Sequence, residues 1–359
     1  MSNEPEILLC RRGAAGIVTL NRPAALNAVT RAMVLTLREA LERWRHDGAV
    51  SRVILTAAGG RAFSAGGDLR AIYEAGRAGR QEESIGFWRE EYALNAAIKH
   101  YPKPYVALID GIVMGGGVGV SVHGSHRVAG DRFEFAMPEV GIGFFPDVGA
   151  TWFLPRLPGE IGTYCALTGA RLKAADALMA GIATHRVASA RFPDLIEALC
   201  GAVSVDAILA AFAEPASRGE VERLRGPATA HRSAIDRIFA AGSVEEILGL
   251  LDAEAATASS DAPWAGEVAA TIRAKAPLSL KIALAQMRRG RNWSFAECMR
   301  AEFRVVSRVA YGHDLYEGIR AVIIDKDNNP CWRPAMLAEV TAESVERHFA
   351  PLECELALP

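Results

Sequence analysis

Two glycine-rich segments, each following a strand-like apolar run, constrain this chain more than any other feature. Residues 62–69 read AFSAGGDL and come after the β-branched run Val50–Thr56, and residues 111–119 read GIVMGGGVG and come directly after Tyr105–Ile109. Both predict a strand, a glycine turn and a helix in succession. Backbone N–H groups at such a turn have no intrahelical partner, and the missing Cβ atoms let a ligand approach them closely. Two turns of this kind, side by side, would supply the two N–H donors of an oxyanion hole.

Each glycine segment also has a simpler interpretation as a tight strand-to-helix turn without a function. That interpretation stays open for either segment taken alone. Dinucleotide binding is a further alternative, but neither segment fits the G-x-G-x-x-G pattern in register. The phosphate-loop pattern G-x-x-x-x-G-K-S/T does not occur in the sequence, which argues against a P-loop nucleotidase.

A third segment, residues 135–149, reads FAMPEVGIGFFPDVG and contains two acids, Glu139 and Asp147, among apolar residues and glycines. A carboxylate with Met, Pro, Val, Ile and Phe as neighbours is desolvated, which raises its pKa towards the range that suits acid–base catalysis. A lone glutamate is more often a solvated surface group. The scarcity of other polar residues in this segment favours a buried site over a surface loop.

The order of the predicted elements indicates an α/β fold. Strand and helix patterns alternate over residues 1–200, which favours a sheet covered by helices, whereas residues 201–359 carry helical patterns. We therefore predict a core domain over 1–200 and a helical C-terminal region over 201–359, with exposed linkers at 214–229 and 252–266. The single elements predicted are a hairpin of Ile7–Cys10 and Gly16–Leu20, helices over Thr30–Arg45 and Glu82–Lys99, strands at Val50–Thr56, Tyr105–Ile109, His126–Ala129 and Phe133–Ala136, capping boxes at Ser243/Glu246 and Ser294/Glu297, and a helix that begins after Pro277.

The charge balance and the cysteines exclude several classes of function. The formal net charge is −2 and the pI is near 6.5, so no excess of basic residues points to nucleic acid or an anionic membrane. The six cysteines are scattered without C-x-x-C or metal-ligand spacing, as expected of free thiols in a reducing compartment. No apolar run reaches about eighteen residues, and the start MSNEPEILLC lacks the features of a signal peptide or an Arg-rich presequence. We expect a soluble, cytoplasmic protein.

Taken together, the three segments resemble those of the crotonase (enoyl-CoA hydratase/isomerase) superfamily. The resemblance implies a spiral of repeated ββα units with helical C-terminal packing, and an acyl-CoA site in which two backbone N–H groups hold the thioester oxygen. Carried over by position, these donors are Gly67 and Gly116, with Gly66 beside them at the substrate. Coenzyme A arrives as part of the substrate, so neither a cofactor nor a metal is implied. The family also suggests a homo-oligomer, a trimer or a multiple of one.

Two departures from the hydratase pattern single out a subgroup. Hydratases have a glutamate after the GGG turn, where this chain has Gly119, and commonly a glycine where this chain has Asp147. The segments that are similar to the 3-hydroxyisobutyryl-CoA hydrolases are residues 89–95, 114–123, 137–156 and 325–334. The resemblance therefore covers nearly the whole chain.

The subgroup implies hydrolysis of a short branched β-hydroxyacyl-CoA thioester, as in valine catabolism. Glu139 would either attack to give an acyl-enzyme anhydride or activate water as a base. Asp147 would orient the substrate hydroxyl, position water or protonate the departing thiolate. Glu91 corresponds to an acid that contacts the substrate, and a solvated helix carboxylate is the alternative for it.

Two other functions stay open: an enoyl-CoA hydratase or isomerase that uses Glu139 alone, and a non-catalytic acyl-CoA-binding scaffold. A metal site at His123 and His126 lacks a third ligand at suitable spacing, so packed or surface histidines are predicted. Ser64 lies outside any G-x-S-x-G pattern, which argues against a serine nucleophile. Asp68 is predicted to cap the helix that follows it.

Overall fold

The computed structural model describes residues 4–213 and 226–358, which form two sheets and a surrounding set of helices. The strands are β1 (Ile7–Arg12), β2 (Ala15–Leu20), β3 (Arg52–Ala57), β4 (Ala62–Ser64), β5 (Tyr105–Ile109), β6 (Ile112–Met114), β7 (His126–Ala129), β8 (Glu134–Ala136), β9 (Leu172–Lys173) and β10 (His185–Arg186). The α-helices are α1 (Arg31–His46), α2 (Leu69–Arg77), α3 (Gln81–Lys99), α4 (Gly116–Gly119), α5 (Ala150–Phe153), α6 (Ile161–Thr168), α7 (Ala174–Met179), α8 (Phe192–Cys200), α9 (Val205–Phe212), α10 (Pro227–Ala230), α11 (Arg232–Ile238), α12 (Val244–Ala255), α13 (Ala262–Arg273), α14 (Pro277–Gly290), α15 (Phe295–Val309), α16 (His313–Ile319) and α17 (Ala342–Phe349).

The strands form a larger and a smaller sheet, and they alternate between the two from β3 to β8. The larger sheet has the order β1-β2-β3-β5-β7-β10, and the smaller one has the order β4-β6-β8-β9. In the pairs β3–β4, β5–β6 and β7–β8, the first strand joins the larger sheet and the second joins the smaller sheet, and helix follows each pair. This arrangement is the spiral of repeated ββα units that the resemblance implies, and the predicted α/β fold is confirmed.

The smaller sheet determines where the candidate site lies. Its strands β4, β6 and β8 are neighbours and run parallel, with Ser64 paired to Val113 and Met114 paired to Ala136. Their carboxyl ends therefore meet at one edge, the place where open α/β sheets bind ligands. The two glycine turns follow β4 and β6, and Glu139 follows β8 shortly after its end. Three segments that are distant in the sequence thus come together for a topological reason.

The predicted hairpin and the two predicted long helices of the core are confirmed. Strands β1 and β2 are antiparallel, with Ile7 opposite Leu20. Helices α1 and α3 agree with the predictions to within one residue at each end. Thr30 is the N-cap of α1, and its hydroxyl accepts the Met33 N–H. Helix α1 buries one apolar face that includes Leu37 and Trp44, and for this reason the helical spacing of its apolar residues can be recognised in the sequence.

The two predicted capping boxes differ from each other. At Ser294 both halves form, because the serine hydroxyl accepts the Glu297 N–H and the Glu297 carboxylate accepts the Ser294 N–H. At Ser243 the hydroxyl accepts the Glu246 N–H. The Glu246 carboxylate accepts the N–H of Gly242 instead of that of Ser243, so this helix begins with half a box.

The prediction of an exposed linker over 252–266 holds for the connection at 256–261 and is wrong for the residues on either side of it. These residues form the end of α12 and the start of α13, and residues 256–261 are the connection between the two helices. Alanine-rich stretches favour helix, and Trp264 buries its ring against the core, which outweighs the turn-forming serines and aspartates. For the other predicted linker, residues 214–225 lie outside the described residues, and Pro227–Ala230 is a short helix.

The C-terminal region is helical, as predicted, and packs on the same hydrophobic core as the sheets. Strand β10 is the last strand among the described residues. Leu280 and Met287 of α14 and Phe303 of α15 are buried within that shared core. The division of the chain at residue 200 stays a prediction. Within residues 4–213 and 226–358, no helix is long and apolar enough to cross a bilayer.

Candidate active site

A cavity of about 380 Å³ opens at the edge where β4, β6 and β8 end. All of the residues predicted for the site line it, namely Gly66, Gly67, Glu91, Gly116, Glu139 and Asp147. Its other walls are mainly apolar and consist of Leu69, Ile72, Phe87, Trp88, Met114, Ile142, Phe144, Leu315, Val322 and Ile323, with Lys275 at one side. The cavity therefore brings backbone donors and carboxyl groups together within mainly apolar walls.

The two glycine turns lie against each other at this cavity. The first is held by Val29, whose N–H donates to the Gly66 carbonyl (2.8 Å) and whose carbonyl accepts the Asp68 N–H (3.1 Å). A Cβ added at Gly116 would lie 3.5 Å from the Gly67 nitrogen and 2.6 Å from Glu91 Oε1. Gly116 is the first residue of α4, and no carbonyl of the described backbone accepts either the Gly67 or the Gly116 N–H. The pair can therefore donate to one oxygen atom of a ligand.

Glu139 lies beside the second glycine turn. It is the first residue of a short 3₁₀ helix, Glu139–Ile142, and its side chain is 6 % exposed. Its Oε1 would be 3.4 Å from a Cβ added at Gly115, and its Oε2 is buried without a hydrogen-bond partner in the described structure. Burial, and secondly the charge of Asp147, raise the pKa of Glu139 well above its ordinary value.

Asp147 lies deeper in the same cavity and is held by a tyrosine from α3. The Tyr92 hydroxyl donates to Asp147 Oδ2 at 2.9 Å. Burial raises the pKa of Asp147 to about 7, although the Tyr92 hydrogen bond works in the opposite direction. A carboxyl group with this pKa changes its charge near neutral pH, as acid–base chemistry requires.

Glu91 projects into the cavity from the same helix and is not a solvated helix carboxylate. Its side chain is 2 % exposed, and its Oε1 has no hydrogen-bond partner among the described residues. Burial raises the pKa of Glu91 well above its ordinary value, and the neighbouring Asp147 adds to the shift. With Glu139 it completes a cluster of three buried carboxyl groups.

Two buried residues of the C-terminal helices hold the segment that carries Asp147, and the sequence did not single them out. The Glu302 carboxylate on α15 accepts the N–H groups of Gly149 and Thr151, each at 2.8 Å. The Gln286 amide on α14 donates to the Pro146 carbonyl (3.0 Å) and to the Thr151 hydroxyl (2.7 Å). Burial raises the pKa of Glu302 to about 8.

A signal for Glu302 exists in the sequence. Along α15 it occupies the same face as buried apolar residues, which are Cys298, Met299, Phe303, Val305 and Val306. A charged side chain on the apolar face of an amphipathic helix is costly unless it has a specific partner. Such a residue can therefore be noted as a candidate before its partner is known.

At the position of the hydratase glutamate, a side chain would require neighbouring atoms to shift. A Cβ added at Gly119 would lie 2.8 Å from Asn95 Nδ2 and 2.8 Å from Val148 Cβ. Asn95 is fully buried, and neither atom of its amide has a hydrogen-bond partner in the described structure. Asn95 and Val148 pack closely on α4 at Gly119, in the space that a longer side chain at this position would need.

The histidines are packed or surface groups, as predicted. His123 is buried between aromatic rings, its Nε2 donates to the Val148 carbonyl at 2.7 Å, and burial lowers the pKa of His123 to about 4. His126 pairs with Asp206 at the surface. The described residues contain no group of His, Cys, Asp or Glu side chains arranged to hold a metal ion. Asp68 caps α2 by accepting the Ala71 N–H, as predicted.

Comparison with known proteins places this geometry in context. Residues 15–349 match a family model described as enoyl-CoA hydratase/isomerase. The chain is 45 % identical over 354 residues to the mitochondrial 3-hydroxyisobutyryl-CoA hydrolase of Danio rerio, with 97 % of this chain and 90 % of that protein covered. The Rattus norvegicus enzyme of the same name is also 45 % identical, over 352 residues that cover 97 % and 89 % of the two chains.

A solved structure matches this protein over almost its whole length. The crystal structure of a carnitinyl-CoA dehydratase from Mycobacterium thermoresistibile matches with a TM-score of 0.90 and 44 % sequence identity, and the match covers 99 % of each chain. The similarity therefore includes the helical C-terminal region as well as the sheets.

Proposed function

The chain belongs to the enoyl-CoA hydratase/isomerase family, and on that premise we propose that it hydrolyses 3-hydroxyisobutyryl-CoA to 3-hydroxyisobutyrate and coenzyme A, a reaction of valine degradation. One observation carries the proposal beyond the names of the relatives. Glu139 and Asp147 share a cavity with two unpaired backbone N–H groups, while position 119 is a closely packed glycine where a hydratase has its second glutamate. Thioester hydrolysis needs the first arrangement and does not need the second glutamate.

The first step is polarisation of the thioester carbonyl. The N–H groups of Gly67 and Gly116 donate to its oxygen and stabilise the negative charge that develops there in the tetrahedral adduct. A donor in such a hole contributes roughly 3–4 kcal/mol to the stability of the transition state. The apolar walls, which include Phe87 and Phe144, exclude water and strengthen these hydrogen bonds.

Glu139, which lies beside the Gly116 turn, performs the second step, the attack on the polarised carbonyl or the activation of water. Its free, buried Oε2 either attacks the carbonyl carbon, which gives an anhydride that water then opens, or removes a proton from an attacking water. In both routes the C–S bond breaks and the oxygen of water ends in the carboxylate product. One proton of the water leaves on the CoA thiol and the other is released to solvent. Both routes require Glu139 in its ionised form.

Asp147 and Glu91 bind the substrate, and Asp147 can also donate a proton. Asp147, with a pKa near 7, is suited to bind the β-hydroxyl, position water or protonate the departing thiolate. Glu91 lies against the Gly116 turn and contacts the acyl group. Coenzyme A enters as part of the substrate, and no further cofactor is part of this proposal.

A second candidate function is hydration or isomerisation of an enoyl-CoA with Glu139 as the single acid–base group. The observation in its favour is the dehydratase whose crystal structure matches over the whole chain. The closely packed glycine at position 119 opposes it, because a water held by two carboxylates cannot be assembled there.

Thiol release separates the two functions. We expect the protein to release free CoA from 3-hydroxyisobutyryl-CoA, followed with a thiol reagent, and to leave the absorbance of crotonyl-CoA almost unchanged. Rapid loss of crotonyl-CoA absorbance without free CoA would favour the hydratase and rule out our proposal. A protein that binds both esters and converts neither would be the non-catalytic scaffold.

The compartment and the assembly remain predictions. A cytoplasmic location is proposed from the composition, and the two hydrolases compared above are named as mitochondrial. A homo-oligomer, as a trimer or a multiple of one, is proposed from the family. Light scattering of the purified protein would measure the mass of the assembly directly.

A further inference from the structure

A second cavity, of about 470 Å³, lies behind the segment that carries Asp147 and is lined by three cations. We call it the Lys99 cavity; its polar lining consists of Lys99 at the end of α3, His123, Arg127 on β7 and Arg156, with Trp152 between them. No aspartate or glutamate among the described residues lines it. It shares no lining residue with the active-site cavity.

Lys99 is the cation without a hydrogen-bond acceptor. Its ammonium lies 3.9 Å from the centroid of the Trp152 ring, and its side chain is half-buried. Among residues 4–213 and 226–358, no oxygen atom accepts a hydrogen bond from it and no carboxylate pairs with it. All three of its N–H groups are therefore available to a ligand.

The two guanidinium groups are held in place by neutral partners. Arg127 donates from Nε to the Ile182 carbonyl and from Nη1 to the Gly124 carbonyl, each at 2.8 Å, and from Nη2 to the Gly181 carbonyl at 3.1 Å, which leaves one N–H on each Nη. Arg156 donates from Nη1 and Nη2 to four backbone carbonyls, which leaves its Nε–H; these carbonyls are those of Trp152 (2.7 Å), Gly290 (2.8 Å), Arg291 (3.3 Å) and Trp293 (2.8 Å). Backbone carbonyls fix the orientation of these groups without neutralising them, so their positive charge remains in the cavity.

The electrostatics of the neighbouring groups agree with an unbalanced positive potential. Burial, and then the charges of Arg127 and Arg156, lower the pKa of Lys99. The pKa of His123 is lowered mainly by burial, with further contributions from Lys99, Arg127 and His100. No aspartate or glutamate of the described structure is among the groups that shift either pKa.

We propose that the Lys99 cavity binds a phosphate group. A dianion there would accept hydrogen bonds from the Lys99 ammonium and from the guanidinium N–H groups that the backbone does not use, and its two negative charges would offset two of the three positive charges. Lysine is a common point-charge ligand of phosphate, and arginine offers planar N–H pairs to its oxygens. The volume of the cavity accommodates inorganic phosphate or a small phosphate monoester.

Binding of inorganic phosphate to Lys99→Met tests the site. Lys173→Met is the matched control, because Lys173 is an exposed lysine on β9, outside both cavities. We expect calorimetric titration with phosphate, at an ionic strength matched with chloride, to give the same Kd for wild type and Lys173→Met. The Kd of Lys99→Met should be weaker by about tenfold or more, as for loss of a charge-assisted ligand. Equal affinity of all three proteins, or no phosphate-specific binding by wild type, would overturn the proposal.

A measurement on the wild-type protein covers the case in which Lys99→Met does not fold. Phosphate should slow acetylation of Lys99 by an amine-reactive ester, as read by peptide mass spectrometry, and leave the acetylation of Lys173 unchanged. Equal rates for Lys99 with and without phosphate would contradict the proposal.

Two sources could supply the phosphate group, and competition distinguishes them. Since the two cavities share no lining residue, we expect free CoA to leave phosphate bound, which identifies a site for a separate phosphate compound. Displacement of phosphate by CoA in wild type, together with weaker CoA binding by Lys99→Met, would assign the site to a phosphate of the substrate. The binding test is independent of thiol release, so failure of the hydrolase proposal would leave it intact.

Discussion

At the scale of single residues, the site depends on three carboxyl groups that resist being ionised together. Glu91, Glu139 and Asp147 are buried in one cavity, and the charge of Asp147 raises the pKa of both glutamates in addition to burial. Ionisation of one group therefore raises the pKa values of the others, and an apparent pKa belongs to the cluster. This coupling makes the pH profile informative about the roles.

Replacing Asp147 with asparagine is predicted to move the acidic limb of the pH–rate profile to lower pH. Glu139 must be ionised to act, and removal of the Asp147 charge lowers the pKa of Glu139. The measurement is kcat/KM for thiol release across neutral pH, compared with wild type and with Asp252→Asn, which changes an exposed acid paired with Arg273. We also expect a lower maximal rate for Asp147→Asn. An acidic limb that stays in place would mean that Asp147 does not act on Glu139.

Position 119 gives a prediction about packing. Gly119→Ala should lower the free energy of unfolding by about 1–3 kcal/mol, because the added methyl group overlaps Asn95 and Val148. Gly249→Ala is the control, since it lies on α12 with open space at its Cβ and should stabilise the protein by about 0.5–1 kcal/mol. Urea denaturation measures both. A neutral Gly119→Ala, or a Gly119→Glu protein that hydrates crotonyl-CoA, would show that the position is open.

The residues of the site were predictable where local composition marks them. The glycine turns and the two acids of 135–149 stand out because glycines and lone carboxyl groups are unusual next to apolar strands. Tyr92 and Gln286 do not stand out, because their function depends on contacts with a segment more than fifty residues away. Such contacts become visible only when the helices are packed.

At the scale of elements, two helices of the C-terminal region form part of the site. Helices α14 and α15 hold residues 146–151 from one side through Gln286 and Glu302, while Tyr92 of α3 holds Asp147 from the other side. The position of Asp147 is therefore determined by three elements that are distant in the sequence. Rigid support of this kind is what a catalytic carboxyl group needs for accurate placement.

Glu302→Gln tests that support. The amide keeps one acceptor oxygen and turns an NH₂ group towards the second backbone N–H, which leaves a buried donor unsatisfied and costs about 1–3 kcal/mol of stability. We expect kcat for thiol release to fall with little change in KM, because the loop that carries Asp147 moves while the oxyanion hole stays. Glu346→Gln is the control, since it removes a solvent-exposed partner of Arg289 and should change stability by at most about 1 kcal/mol. Wild-type kinetics for Glu302→Gln would show that Glu302 does not position Asp147 for catalysis.

The element predictions failed where the elements are short. Strands β4 and β6 have three residues each, and β9 and β10 have two, so the two-residue period cannot be recognised in them. Strands β4, β6 and β9 nevertheless build, together with β8, the smaller sheet whose edge forms the site, whereas β10 pairs with β7 in the larger sheet. These short strands form through pairing with strands that are distant in the sequence, which a local pattern does not reveal.

At the scale of the whole molecule, the buried acids lower the free energy of unfolding increasingly as the pH rises. The pKa of Asp147 rises from an ordinary value of 3.8 to about 7, and that of Glu302 rises from 4.5 to about 8, so the folded protein holds protons that the unfolded chain has released. Their stabilising contribution is complete below the unfolded pKa values and is lost as the pH rises through the folded ones. The buried His123, whose pKa falls from 6.5 to about 4, acts in the opposite direction, but its contribution is complete above pH 6.5.

The free energy of unfolding is therefore predicted to fall as the pH rises from 6.5 to about 8. Urea denaturation at several pH values in this window measures it. Glu302→Gln should show a shallower decline than wild type, because it removes one of the groups responsible. A free energy that is constant or increases over the window would contradict the assignment of raised pKa values to these acids.

The role proposed for Glu139, beside the N–H groups of Gly67 and Gly116, is to catalyse hydrolysis of an acyl-CoA thioester. Its most direct test is the rate of CoA release from 3-hydroxyisobutyryl-CoA by wild type and by Glu139→Gln. We expect release by wild type, a loss of about 10² or more in kcat for the variant, and similar affinity of both proteins for the ester, because glutamine keeps the size of the side chain but neither attacks nor accepts a proton. A Glu139→Gln protein that releases CoA at the wild-type rate would contradict it.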